Sequence, residues 1–209
     1  MLRRLCDEHE ALLIVDEIYT GLGRTGKWFA CEHESTIPDV ICLGKALTGG
    51  FPLSACVGRA GLMDRAWPAS TGEAIHTSTF LGHPVGCAMA LAQIEEIRRQ
   101  DLARRSAGTG RLLLQELSLL DPGQTGLTLL PRGRGLLAGL EVRLPDGSPA
   151  GKIVLRTIKR LLRVGFIFLP EGEHANVISF TPPLTISPAQ IRSATRAFEQ
   201  ALSQAAKAK

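Results

Sequence analysis

Two short, wholly apolar runs, each ended abruptly by a chemically active residue, constrain this chain more than anything else in it. Ala11-Leu12-Leu13-Ile14-Val15 stops at Asp16-Glu17, and Val40-Ile41-Cys42-Leu43 stops at Gly44-Lys45. Four or five apolar residues without alternation are what a strand buried on both faces of a parallel sheet requires. A third run, Leu53-Ser54-Ala55-Cys56-Val57, follows the turn Gly49-Gly50. Three such strands with polar residues at their C-terminal ends predict an open α/β sheet, whose ligands sit outside those ends.

Around this sheet the remaining signals are mostly helical. Residues 2–9 read as the tail of an amphipathic helix. Pro84, a favourable first-turn residue, opens a long helix with Val85, Ala88, Met89, Ala92 and Ile97 at helical spacing. That pattern runs to about residue 120, with Gly108 and Gly110 as its expected break, and Asp121-Pro122-Gly123 is a turn. Beyond it the texture changes. Residues 136–144, 166–169 and 177–180 are expected strands, and residues 153–164 a basic amphipathic helix. Ser187 should cap a last helix that places Ile191, Ala194, Ala197 and Phe198 on one face. The division expected is residues 1–105, part of a larger domain, and residues 106–209, a small α+β domain.

Several classes of function are disfavoured. No apolar run approaches the roughly 20 residues that span a bilayer, and charge interrupts the N-terminus at once, so a cytoplasmic protein without a membrane contact is expected. The five cysteines, at 6, 31, 42, 56 and 87, lack any C-x-x-C spacing. Reduced, mostly buried thiols fit them better than a disulfide framework or a zinc site. The net charge of +4 comes from helix-like stretches such as Arg98-Arg99, while aromatics are only 5% of the chain and lie apart from them. Solvated helix faces account for this pattern better than a nucleic-acid surface.

Gly21-Leu22-Gly23-Arg24-Thr25-Gly26 is a literal dinucleotide fingerprint in the wrong place. Two carboxylates and Tyr19 separate it from the strand, Lys27-Trp28-Phe29 follows instead of an apolar helix start, and the expected ribose-binding acid is missing. Asp7-Glu8-His9-Glu10 and Cys31-Glu32-His33-Glu34 contain ligand-type residues, but neighbours in sequence do not converge on one ion, so no metal is expected. The carboxylate and the lysine at two strand ends carry more. Lys45, after an apolar strand and a glycine, should be partly desolvated, which favours the neutral nucleophilic amine. Pyridoxal phosphate needs such an amine for a Schiff base, and an anion at its pyridinium nitrogen. Asp16 is of the right type at the right end of the neighbouring strand.

The stretches Asp16-Glu17-Ile18-Tyr19-Thr20-Gly21-Leu22-Gly23-Arg24-Thr25-Gly26-Lys27-Trp28-Phe29-Ala30-Cys31-Glu32-His33, Pro38-Asp39 and Leu43-Gly44-Lys45-Ala46-Leu47-Thr48-Gly49-Gly50 closely resemble the central block of class III (omega) aminotransferases. The 4-aminobutyrate, acetylornithine, ornithine and diaminopelargonate-forming enzymes belong to that group. His76-Thr77-Ser78-Thr79-Phe80-Leu81-Gly82-His83-Pro84 and Phe180-Thr181-Pro182-Pro183-Leu184 extend the resemblance over essentially the whole chain. It implies a fold type I pyridoxal-phosphate transferase, with the later strands of the large-domain sheet and a small C-terminal domain. It further implies Lys45 as the catalytic, cofactor-linked amine, Asp16 at the ring nitrogen, and Ile18 on one ring face. Ser78 and Thr79 fall in the segment that binds the cofactor phosphate of a second subunit, so a homodimer with shared sites is expected.

Three positions depart from the family pattern. Tyr19 stands where many relatives carry a glutamine that contacts the cofactor, and His83 where asparagine is common. Ser179 stands where enzymes that bind a substrate carboxylate often carry an arginine, whose bidentate pairing a hydroxyl cannot replace. Family members also have a long segment ahead of the first strand, bearing the phosphate-binding turn. The expectation is therefore the later portion of such an enzyme, a fragment or one piece of a split protein. The reaction implied is amino transfer from an ω-amino acid, diamine or amino acid to a keto acid. A lyase or racemase on the same fold, or an inactive dimerising remnant, remains open.

Overall fold

A computed structural model describes residues 1–72, 76 and 78–207. Thr77, within the His76 to Pro84 motif, lies outside the described residues. The chain divides into two compact units, Met1–Arg104 and Arg105–Lys209.

In the first unit, helix α1 (Leu2–Glu8) leads to strands β1 (Ile14–Asp16), β2 (Val40–Leu43) and β3 (Ala55–Gly58). The sheet order is β1-β2-β3, with β1 parallel to β2 as expected. β3, however, is antiparallel to β2. The reason is length: residues 44–54 cannot hold the crossover of a dozen or more residues that a parallel neighbour needs. Ile14 on β1 is 59% exposed, so that strand does not show the burial on both faces expected of it. Helix α2 (Ala60–Ala66) follows β3, and α3 (Pro84–Arg99) begins at the proline that fixes its first turn. Phe51, Phe80 and His83 form a ring cluster ahead of α3, with the Phe51 and His83 centroids 5.0 Å apart.

Helix α4 (Leu102–Ser118) runs unbroken through Gly108 and Gly110. The helical stretch breaks earlier, where Asp101 adopts a left-handed φ of 48°. Gly110 serves packing instead: a Cβ there would lie 2.0 Å from the carbonyl oxygen of Gly135. Gly135 belongs to the two-residue turn between β4 (Thr128–Arg134) and β5 (Leu137–Arg143).

The second unit is a four-stranded antiparallel sheet, ordered β4-β5-β7-β6, with β6 at Leu169–Glu171 and β7 at Val177–Phe180. Strand β4 was not expected from the sequence, and β6 starts where the expected strand at 166–169 ends. Each carries a proline, Pro131 and Pro170, which an edge strand tolerates because one side of its ladder is unpaired. Helices α5 (Gly151–Arg163) and α6 (Pro188–Lys207) pack together. With the inner sheet face they enclose Leu140, Val154, Leu161, Ile178, Phe180, Ile191 and Phe198. Ser187 caps α6 as expected: its hydroxyl accepts the Gln190 N–H at 3.2 Å, and the Gln190 side chain accepts the Ser187 N–H at 2.9 Å.

Candidate active site

The parallel pairing of β1 and β2 sets Asp16 opposite Cys42, and the Glu17 N–H extends the ladder by donating to the Cys42 carbonyl at 3.0 Å. Leu43 and Gly44 then lead to Lys45, so the carboxylate and the amine leave the same end of adjacent strands. Asp16 is exposed; its Oδ1 accepts the Ile18 N–H at 2.9 Å in a tight turn, and its Oδ2 has no partner among the described residues. That turn lays Ile18 over Gly44, where an added Cβ would sit 3.3 Å from Ile18 Cγ2. Lys45 begins a one-turn 3-10 helix, Lys45–Leu47, with φ at +42°. A left-handed backbone is costly for a residue with a side chain and concentrates at functional positions. Its Nζ lies 4.9 Å from the centroid of the Tyr19 ring, and no carboxylate among the described residues pairs with it. Asp16, Ile18, Tyr19 and Lys45 thus meet at one corner.

The desolvation expected at Lys45 is not found, since its side chain is exposed. It stands past the last residue of β2, outside the sheet, where the Tyr19 ring is the contact on its ammonium.

Sequence reasoning missed Glu17, which is only 2% exposed. Along the strand, Ile14 and Asp16 fall on the exposed face while Val15 and Glu17 turn inward, the two-residue alternation being the signal that identifies it. Its carboxylate accepts the Cys31 N–H at 2.8 Å and the Thr20 hydroxyl, which ties the loop after β1 to the strand. Burial, with the Glu17 carboxylate beside it, pushes the Cys31 thiol above its ordinary pKa. The glycine stretch is a series of turns, with Gly23 and Gly26 at φ of 92° and 93°, leading into a 3-10 helix at Ala30–Glu34. His33 and Glu32 serve this loop. His33 Nε2 lies 3.1 Å from the Thr25 carbonyl and hydroxyl oxygens, and Glu32 accepts the Phe29 N–H at 2.7 Å.

The other expected site residues lie elsewhere. Ser78 lines an open groove of about 970 Å³ with Cys56, Met63, Trp67 and Phe80, and none of the four corner residues lines it. Thr79 is exposed in the turn closed by the Leu81 N–H donating to the Ser78 carbonyl at 3.2 Å. Ser179 belongs to the second unit. It sits in β7 between Gly139 and Leu169, on the sheet face opposite that of Ile178 and Phe180. The cysteines are free, but the expectation of mostly buried thiols fails: Cys56 and Cys87 are exposed and the other three half-buried. Cys56 lines the open groove, and its strand β3 is an edge.

The sequence profile of the family described as aminotransferase class-III matches residues 1–202. The chain belongs to the class III aminotransferases. It is 40% identical over 190 residues to a leucine/methionine racemase of Thermococcus litoralis, covering 88% of this chain and 40% of that protein. It is 38% identical over 199 residues to ornithine aminotransferase 1 of Staphylococcus aureus, covering 94% and 46%. Among solved structures, a transaminase from the marine bacterium Virgibacillus superposes with a TM-score of 0.87 at 29% identity, over 99% of this chain and 48% of that one. The chain therefore spans somewhat less than half the length of these class III relatives.

Class III aminotransferases use pyridoxal phosphate. The corner at Lys45 fits that group chemically. It offers an amine without a carboxylate partner, a carboxylate with one uncommitted oxygen, and an aliphatic side chain seated on a bare glycine beside them.

Proposed function

We propose that this chain forms part of a pyridoxal-phosphate-dependent transaminase that moves an amino group from an ω-amino acid, diamine or amino acid to a keto acid. In this reading Met1–Arg104 belongs to the large cofactor domain and Arg105–Lys209 is the small domain. The observation that carries it is the left-handed Lys45 at the end of the strand parallel to the one that delivers Asp16.

Pyridoxal phosphate, when bound, supplies an electron sink for the bond broken at the amine-bearing carbon. Lys45 holds the cofactor through Nζ and, once released, carries the proton at that atom between the two carbon centres of the transfer. The Tyr19 ring, 4.9 Å from Nζ, orients that amine through its face. Asp16 Oδ2 would hold the ring nitrogen in its protonated form, while Oδ1, fixed by the Ile18 N–H, sets the carboxylate's orientation. Ile18 covers one ring face and excludes water from it. Ser78 and Thr79 serve the phosphate of a second subunit, so the functional unit is a homodimer. Five widely spaced cysteines without a C-x-x-C suit a reducing compartment, and we place the protein in the cytoplasm.

A racemase is the second reading, favoured by the similarity to the Thermococcus protein. The test is product analysis with ornithine, 4-aminobutyrate, diamines and alanine, each with 2-oxoglutarate or pyruvate. A new amino acid formed in step with loss of donor supports transamination. Inversion of a donor without an acceptor supports the racemase, and no turnover with any of them supports an inactive dimerising remnant.

A further inference from the structure

Cys42 and Cys56 are directly opposite one another on the antiparallel strands β2 and β3. Backbone groups alternate in direction along a strand, so the partners of its neighbours reveal which pairs are joined. The Cys42 carbonyl accepts from Glu17 on the β1 side, as the Val40 N–H donates to Leu13 on that side. The Asp39 carbonyl faces the other way and accepts the Arg59 N–H. Cys42 therefore has its backbone turned away from β3, and Cys42–Cys56 is a non-hydrogen-bonded pair. In such pairs the Cα atoms are about 4.5 Å apart and the side chains are closest. That spacing falls at the short end of the range a disulfide accepts, which makes a bond there formable and readily reduced. Cys56 is exposed and lines the open groove, so an oxidant can reach it.

We propose that Cys42 and Cys56 are a reversible oxidation site, converted by hydroperoxides to a cross-strand disulfide that loosens the Asp16–Lys45 corner. In the first step the Cys56 sulfur takes the distal oxygen of the peroxide, becoming a sulfenic acid and releasing water or an alcohol. In the second, the Cys42 sulfur attacks that sulfur, the S–S bond forms, the S–O bond breaks, and water leaves. Two electrons pass from the thiols to the peroxide, and a dithiol reductant returns them. The effect on the corner follows from position. Cys42 is paired on its other side with Asp16, and its carbonyl holds the Glu17 N–H. A disulfide prefers a wider Cα spacing, about 5.5–6 Å, so forming it pushes β2 away from β3 and displaces the β1–β2 ladder at Cys42, opposite Asp16 and three positions before Lys45. This consequence for cofactor binding rests on the function proposed above.

The test is hydrogen peroxide treatment of the protein, followed by peptide mapping without reduction, amide exchange, and pyridoxal phosphate titration. A linked pair of peptides containing Cys42 and Cys56 is expected. The Glu17 amide should exchange faster in the oxidised protein, and cofactor affinity should fall about tenfold. Dithiothreitol should reverse all three, and Cys56→Ser should prevent them. Linkage through other cysteines, or no linkage, overturns the site. Linkage with unchanged Glu17 exchange overturns its coupling to the corner. If the reduced protein fails to place cofactor on Lys45, the proposed function fails, while the peptide map and the exchange still decide the oxidation site.

Discussion

Arg3 on α1 donates to the carboxylate of Asp39 at the head of β2, with Nη1 2.6 Å from Oδ2. The same oxygen accepts the Leu13 N–H at 2.8 Å, and Arg59 approaches Oδ1 at 3.3 Å. One buried carboxylate thus joins the first helix, the start of β1 and the end of β3. The Leu13 N–H and then Arg3 hold the Asp39 carboxyl below its ordinary pKa. A group depressed on folding contributes stability that is fully present above its unfolded pKa, about 3.9, and lost as pH falls through the lower folded value. The first unit should therefore lose stability progressively below about pH 4. Asp39→Asn should remove that contribution already at neutral pH and flatten the acid limb of the melting temperature against pH. An Asn variant that melts like the parent at pH 7 contradicts this role.

The approach of Gly110 to Gly135 should be the second unit's least tolerant position for a single methyl group. A Cβ there has backbone as its nearest neighbour, which cannot rotate aside as a side chain can. Gly110→Ala should destabilise by about 1–3 kcal/mol despite the better helix propensity of alanine. Gly108→Ala, with an arginine side-chain tip as the sole neighbour within 4 Å, should be neutral or slightly stabilising. Urea unfolding of both variants checks the contrast.

Lys45 should trade stability for chemistry. Its φ of +42° suits glycine and penalises any residue with a Cβ. Lys45→Gly and Lys45→Ala both lack the amine and should both lack turnover. The glycine variant should nevertheless be more stable than the alanine variant by about 1 kcal/mol. Equal stabilities would mean that the left-handed backbone stores no strain.

The corner was legible in the sequence because its logic is local. A strand, an acid, a strand, a glycine and a lysine fix which residues leave which end, and Asp16, Ile18, Tyr19 and Lys45 meet as the order of the chain requires. What was not legible depends on the neighbours a strand finds. The five apolar residues before Asp16 carry the pattern of a two-faced burial, yet Leu12 and Ile14 are exposed. Glu17 reads like its neighbour Asp16, and only the pleat sends one outward and the other inward. Pro131 masked β4, because a proline argues against a strand until that strand is known to be an edge. Gly110 looked like a helix break because its packing partner, Gly135, lies in a hairpin turn distant in sequence.

Substrate choice should turn on Ser179. If it occupies the place of a carboxylate-binding arginine, donors with an α-carboxylate lose a charge-assisted hydrogen bond of about 1.5–3 kcal/mol, roughly tenfold or more in kcat/KM. Donors whose amine is distant from a carboxylate should be preferred, and Ser179→Arg should shift the ratio toward alanine by about that factor. Alanine as the best donor of the parent protein, with no response to the arginine, would remove Ser179 from the substrate site.

The central claim is that Lys45 is the amine that holds the cofactor, and covalent capture tests it most directly. The protein is incubated with pyridoxal phosphate, reduced with borohydride and digested, and its peptides are read by mass spectrometry. The account predicts the phosphopyridoxyl mass on Lys45, abolished in Lys45→Ala and weakened in Asp16→Ala. Capture on Lys27 or Lys152, with Lys45 unmodified, would contradict it.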